Sequence, residues 1–96
     1  MTDGAARATP FPADARLRVT QWAFDARGAS TGEHEHEYDY LVVPVTGGRL
    51  RVVTADGETE LVQTAGVPYS GRAGTRHTVI SAEDDPVVFV EVELLG

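Results

Sequence analysis

A chain of 96 residues with a formal net charge of −7, a pI near 4.7 and no Cys supports a single acidic domain. All eight basic residues are Arg and they form no stripe, which excludes phosphate-backbone binding to nucleic acid and attraction to an anionic membrane surface. The absence of Cys also removes disulfides, thiol catalysis and zinc–thiolate sites.

The N-terminal stretch "MTDGAARATPFPADA" is small, polar and Pro-containing. It has no apolar core of a secretory signal, so the cytoplasm is the expected location. Residues 1–14 are expected to form a flexible arm that lies across the domain or a partner, with Phe11 as its anchor, and 15–96 to form the folded domain. "RLRVTQWAF" alternates and is rich in β-branched and aromatic residues, so it predicts a strand. Thr20, Trp22 and Phe24 share one face of it and Val19, Gln21 and Ala23 the other, and either face can be the inner one. If the second is, Gln21 reaches a bound ligand.

A Gly-containing loop leads into "EHEYDYLVVPV", read as one continuous strand. "TGG" turns it, "RLRVVT" follows, and Asp56-Gly57 signals a hairpin into "TELVQ". "TAGVPYSGRAGT" is a Gly-rich loop, "RHTVIS" a further strand, "AEDDP" a turn and "VVFVEVELL" the last strand. Gly28, Gly47, Gly66 and Gly74 fall in these turns, where a positive φ is the expected reason for glycine. No segment has a helical period and none approaches a membrane span. Short strands separated by Gly, Asp and Pro turns predict an all-β barrel or sandwich.

The chemistry concentrates in the second run. Alternation places His34, His36, Tyr38, Tyr40 and Val42 on one face, and Glu33, Glu35, Glu37, Asp39, Leu41 and Val43 on the other. The acidic face is expected in solvent, so the His/Tyr face points into the barrel. Two imidazoles at i and i+2 can converge on one ion, and neutral imidazole suits Fe, Mn, Ni, Cu or Zn. A third ligand must come from another strand, and His77 in "RHTVIS" is the one remaining histidine. The competing reading of "HEHE" is a solvated loop whose charges only aid solubility.

These residues resemble the two motifs of the cupin superfamily, its small single-domain members in particular. The first motif is glycine, five residues, His-x-His, three or four residues, glutamate, six residues, glycine; Gly28, His34, His36, Tyr40 and Gly47 fall at those places, with Tyr40 where the family has Glu. The second is glycine, five residues, Pro-x-Gly, two residues, histidine, three residues, asparagine; Gly66, Gly74 and His77 match, while Arg72 replaces the proline and Ser81 the asparagine. "HEYDYLVVP" also looks like small cupins described as β-alanine degradation proteins. The resemblance implies a double-stranded β-helix, or jelly-roll, barrel.

A typical metal-binding cupin supplies three His and one Glu. With Tyr40 in the acid's place, His34, His36 and His77 are expected to hold a divalent transition metal as three neutral ligands. That leaves the ion its full positive charge, which draws an anionic, chelating small molecule. Three-His cupins include dioxygenases, so a metal-dependent, dioxygenase-like enzyme on a small organic acid is one expectation. A non-catalytic metal- or ligand-binding module is the alternative, and a metal-free barrel the third reading. Tyr40 is expected either to contact substrate or to be a core aromatic. Arg72 and Tyr69 are expected at the barrel mouth, Arg72 either on a substrate carboxylate or in a surface ion pair. Arg76 is expected to face outward. A short barrel with strand edges to hide is expected to be a homodimer, the arm or first strand adding to its neighbour.

Overall fold

The computed structural model describes residues 4–96. Among the described residues nine strands run in chain order: β1 (Arg7–Phe11), β2 (Leu17–Phe24), β3 (His34–Glu35), β4 (Tyr40–Pro44), β5 (Gly48–Thr54), β6 (Gly57–Gln63), β7 (Tyr69–Gly71), β8 (Arg76–Ser81) and β9 (Val87–Leu94). They form two antiparallel sheets, ordered β1-β2-β9-β4-β7 and β3-β8-β5-β6. From β2 to β5 and from β6 to β9 each strand lies in the sheet opposite its predecessor's, and β5–β6 is a hairpin within one sheet. This is the jelly-roll barrel expected from the sequence. Among the described residues no helix is long and apolar enough to cross a membrane.

Alternation explains the core. The inward residues Phe24, Tyr40, Val42, Leu50, Val79, Val87 and Phe89 are buried and pack together between the sheets. The Phe24 and Phe89 rings meet at 5.7 Å between centroids. Fully burying a side chain of this size contributes roughly 1.5–3 kcal/mol. The β5–β6 hairpin turns at Ala55 and Asp56, with Thr54 paired to Gly57 at φ 128°.

Three expectations change. The run from Glu33 to Val45 is not one strand: β3 belongs to the second sheet and β4 to the first, and the chain crosses between them over 36–39. His36 still bonds across to the β7–β8 turn, its N–H to the Thr75 carbonyl and its carbonyl from the Gly74 N–H. Tyr38 falls in the crossing and leaves the inner face; the Arg18 guanidinium sits over its ring at 5.7 Å. Residues 7–11, expected within a loose arm, form β1, an exposed edge strand hydrogen-bonded to β2 of the same chain. In the "TGG" turn it is Gly48, not Gly47, that has positive φ, and a Cβ there would press on Val87.

β2 resolves its two faces. Trp22 pairs with Phe89 and lines the barrel interior, so Thr20, Trp22 and Phe24 point inward. Gln21 is therefore on the outside.

Candidate metal centre

His34 opens β3 and is directly paired with His77 of β8. His36 follows two residues later, held by its backbone bonds to the β7–β8 turn. The three side chains converge: Nε2 of His34 lies 3.2 Å from Nε2 of His36, which lies 3.1 Å from Nε2 of His77. Ring centroids are 4.8–5.1 Å apart and the planes are nearly perpendicular.

Protons can be placed on part of this group. His34 Nδ1 is 3.0 Å from the Gly32 carbonyl, which can only accept, so Nδ1–H donates and, in the neutral ring, the lone pair is on Nε2. Burial lowers the pKa of His77 to about 4, with His34 and His36 adding to the effect. Burial first, then His34, also lowers that of His36, against the opposing pull of Glu93. Among neutral rings one Nε2 proton can serve only one of the two Nε2–Nε2 contacts well, so the other brings lone pairs together unless a cation stands between them.

The spacing fits such a cation. Two nitrogens each about 2.1 Å from one ion stand about 3.0 Å apart at a right angle and about 3.4 Å apart at the tetrahedral angle. The observed separations fall between those limits. One ring nitrogen from each of the three histidines lies within 4.8 Å of the other two.

Tyr40 is buried and stacks on the His36 ring at 3.9 Å between centroids and 22° between planes. Burial, and then Glu91, raise its pKa, so the phenol is neutral and a poor ligand. It braces one face of the His36 ring, much as Trp22 lies nearly parallel to His34 at 6.4 Å. The far end of the Tyr40 ring lies against Gly71, where a Cβ would overlap Cζ and the hydroxyl. Gly71 has no positive φ, so its backbone accepts alanine and only the clash remains. Gly71→Ala is expected to cost about 1–3 kcal/mol through overpacking. Thermal unfolding is expected to drop by at least about 4 °C, and a Tyr40→Ala, Gly71→Ala double variant is expected to cost less than the sum of the two single changes.

Glu91 was not found by pattern reading and belongs to the site. It sits on β9, paired with Val42 and Thr20, and only 8% of its surface is exposed. Its carboxylate oxygen is 3.9 Å from His36 Nδ1, the nitrogen facing away from the other histidines. Burial, then Glu93, raise its pKa to about 7, with Arg18 opposing. A signal existed: Val87, Phe89 and Glu91 share one face of an apolar strand, and an acid on such a face needs a partner or a role.

Tyr69 lines the same cavity, and its hydroxyl donates to Gln63 Oε1 at 3.3 Å. Gln63 is buried, with its amide nitrogen donating to the carbonyls of Thr46 and Val88, so its oxygen is left to accept. Burial pushes the Tyr69 pKa to about 12, with Tyr40 and Glu91 adding to it. Arg72 is exposed on the β7–β8 turn and does not line the cavity, and neither does Gln21. Arg76 faces outward and bridges Glu33 and Glu35 at 3.2 Å each. Asp39 is exposed and accepts the Ala73 N–H at 2.8 Å, tying the same turn.

The cavity beside the tripod is about 40 Å³. One water needs roughly 10–15 Å³, and pockets for drug-sized ligands start near 300 Å³. Its other walls are Trp22, Val42, Val52, Leu61, Val79 and Phe89. The space beside the His cluster is therefore small and mostly apolar, with Thr31, Tyr69 and Glu91 among its other polar walls.

No family model matches the chain. A protein of Pseudomonas aeruginosa called Beta-alanine degradation protein BauB is 46% identical over 81 residues, 84% of each chain. The crystal structure of a cupin domain from Bordetella pertussis Tohama I is 39% identical, covers 98% of this chain and 97% of its own, and has a TM-score of 0.94. A double-stranded β-helix protein from Klebsiella pneumoniae has a TM-score of 0.77 at 18% identity, covers 100% of this chain and 82% of its own, and shares the fold.

Proposed function

This chain belongs to the family of small single-domain cupins that includes BauB, and from that premise we propose that it binds one divalent transition metal ion through His34, His36 and His77 and acts with it on a small organic acid. The observation that carries this reading is the convergence of three Nε2 atoms, His36 lying 3.2 Å from His34 and 3.1 Å from His77, with the Nδ1–H of His34 turned to the opposite side of its ring. The metal is one of Fe, Mn, Ni, Cu or Zn, the set that imidazole suits. When bound, it supplies Lewis acidity and open positions for a chelating ligand.

The chain's own residues supply the rest. Tyr40 and Trp22 hold the His36 and His34 rings, and Gly32 sets the His34 tautomer. The apolar walls exclude water. Glu91, beside His36 Nδ1, is the one ionisable carboxyl lining the cavity and is placed to hold a proton there. Three neutral ligands favour an anionic substrate. BauB's name places that protein in β-alanine degradation, and a short carboxylate has the size and charge that this cavity and tripod favour. In this reading the chain is a cytoplasmic homodimer with dioxygenase-like chemistry.

The test is elemental analysis of untagged protein, followed by oxygen-uptake assays with Fe(II) and short carboxylates, diketones and small thiols. About one transition metal ion per chain with uptake on one substrate class supports the enzyme. Metal without turnover on any of them moves the reading to a non-catalytic metal-binding module. No metal, and none taken up from Fe(II) or Zn(II) solution, overturns both.

A further inference from the structure

The two outer faces of the barrel differ in kind. On the β3-β8-β5-β6 sheet the outward residues are largely charged, and Arg51–Glu58 and Arg76–Glu35 pair across strands. That is the polar-out alternation of a solvated sheet. The outer face of the β1-β2-β9-β4-β7 sheet has no such alternation between apolar and polar sides.

Register defines it. Phe11, Val19, Val92 and Leu41 lie in one row across β1, β2, β9 and β4. The next row toward the other end of β2 runs Thr9, Gln21, Val90 and Val43. Leu17 and Leu94 close one end. Phe11, Leu17, Leu41 and Leu94 are 36–50% exposed, four of the seven large apolar side chains exposed among the described residues. Among the described residues no strand position on this face is acidic: Asp25 and Asp39 stand at its ends, and the one charged strand residue on it, Arg7, forms a neutral pair with Asp25 at 2.7 Å.

We propose that this uncharged face is the surface on which two copies of the chain meet, related by a two-fold axis through its centre near Val90. The proposal rests on the homodimer reading above and differs from exchange of the first strand with a neighbour, because β1 is paired with β2 of its own chain. Charge selects a second copy as the occupant. At −7, two copies repel through most surfaces, and the neutral face is where they approach without like charges in contact. A two-fold contact sets each apolar row against an apolar row of the other copy. Strands about 4.8 Å apart with a rise of about 3.4 Å per residue give this face a projected area of about 450 Å². That is a little over half of the roughly 800 Å² per partner of a standard interface, the size class of a weak or concentration-dependent dimer.

The experiment is sedimentation velocity with circular dichroism on wild type, Val90→Glu, Leu41→Lys and Arg51→Glu. Wild type is expected at twice the 10.3 kDa chain mass at micromolar concentration. Val90→Glu places two like charges near the axis and is expected to weaken association at least about 100-fold. Leu41→Lys, at a side chain already 37% exposed, is expected to weaken it less while folding normally. Arg51→Glu, on the charged sheet, is expected to change nothing. A wild-type dimer that neither Val90→Glu nor Leu41→Lys weakens overturns this surface and leaves the homodimer standing. A monomeric wild type up to about 100 μM overturns both, and neither result touches the metal site.

Discussion

His77→Ala is expected to abolish tight metal binding and to remove the metal-dependent part of the protein's thermal stability. The substitution leaves two imidazoles, both from one short stretch of chain, so the site loses the ligand contributed by β8. Loss of an outer-shell partner already costs 10–100-fold in metal affinity, and loss of a direct ligand is expected to cost at least about 100-fold. At free metal of 100 times the wild-type dissociation constant, binding stabilises the fold by about 2.7 kcal/mol. For a domain of this size that is a rise of about 10–20 °C in the unfolding temperature. A 100-fold weaker variant gains about 0.4 kcal/mol at the same concentration, a shift of about 2–3 °C.

The metal-free proteins should behave differently. Without an ion, three Nε2 atoms crowd one point, and removing one relieves that crowding. Metal-free His77→Ala is therefore expected to lose less stability than truncation of a buried side chain ordinarily costs. Differential scanning calorimetry with and without Zn(II), for wild type and each single His→Ala variant, separates the two effects. Equal metal-induced shifts in wild type and His77→Ala would show that the tripod is not the binding site.

The second large effect is at Glu91. Its pKa is raised from 4.5 to about 7 in the fold, principally by burial. Below pH 4.5 both folded and unfolded chains hold the proton and there is no penalty. Between 4.5 and 7 the unfolded chain releases it first, so stability falls as pH rises and stays reduced above 7. At about 1.4 kcal/mol per unit, the loss is on the order of 3 kcal/mol. His77 has the opposite sign. Its pKa is lowered from 6.5 to about 4, so its contribution is present above 6.5 and is lost as pH falls toward 4.

In the metal-free wild type these slopes oppose each other between about pH 4.5 and 6.5, and stability is expected to change little across that window. Glu91→Gln keeps the shape and removes the carboxylate. Its stability is expected to climb from pH 4 to 6.5 on the His77 slope and then to exceed wild type at pH 8 by up to the order of 3 kcal/mol. Urea unfolding of EDTA-treated protein across that range reads both curves. A Glu91→Gln curve parallel to wild type would mean that Glu91 is ionised in the fold, held as the partner of His36 Nδ1.

The sequence by itself determined the period and the residues of the His cluster. Alternation in "HEHEYDYLVV" put His34, His36, Tyr40 and Val42 on the inner face, and they are inside. Motif spacing brought His77 to the same cluster, and the absence of Cys excluded thiol chemistry. These features are local: two residues two positions apart share a face whatever the rest of the chain does.

What lay beyond it depended on pairing between distant strands. Whether the second run continued or crossed to the other sheet was decided by which sheet receives each half, and the crossing turned Tyr38 outward while Tyr40 stayed in. Which face of β2 was inner was decided by β9, so Trp22 entered the site and Gln21 left it. Tyr40 became a brace for His36 because Gly71, 31 positions away and paired with it, leaves room for the ring. Glu91 reached the histidines because β9 lies beside β4, an arrangement no periodicity within either strand encodes. Alternation says that a side chain turns inward; only the packing of the two sheets says what it meets there.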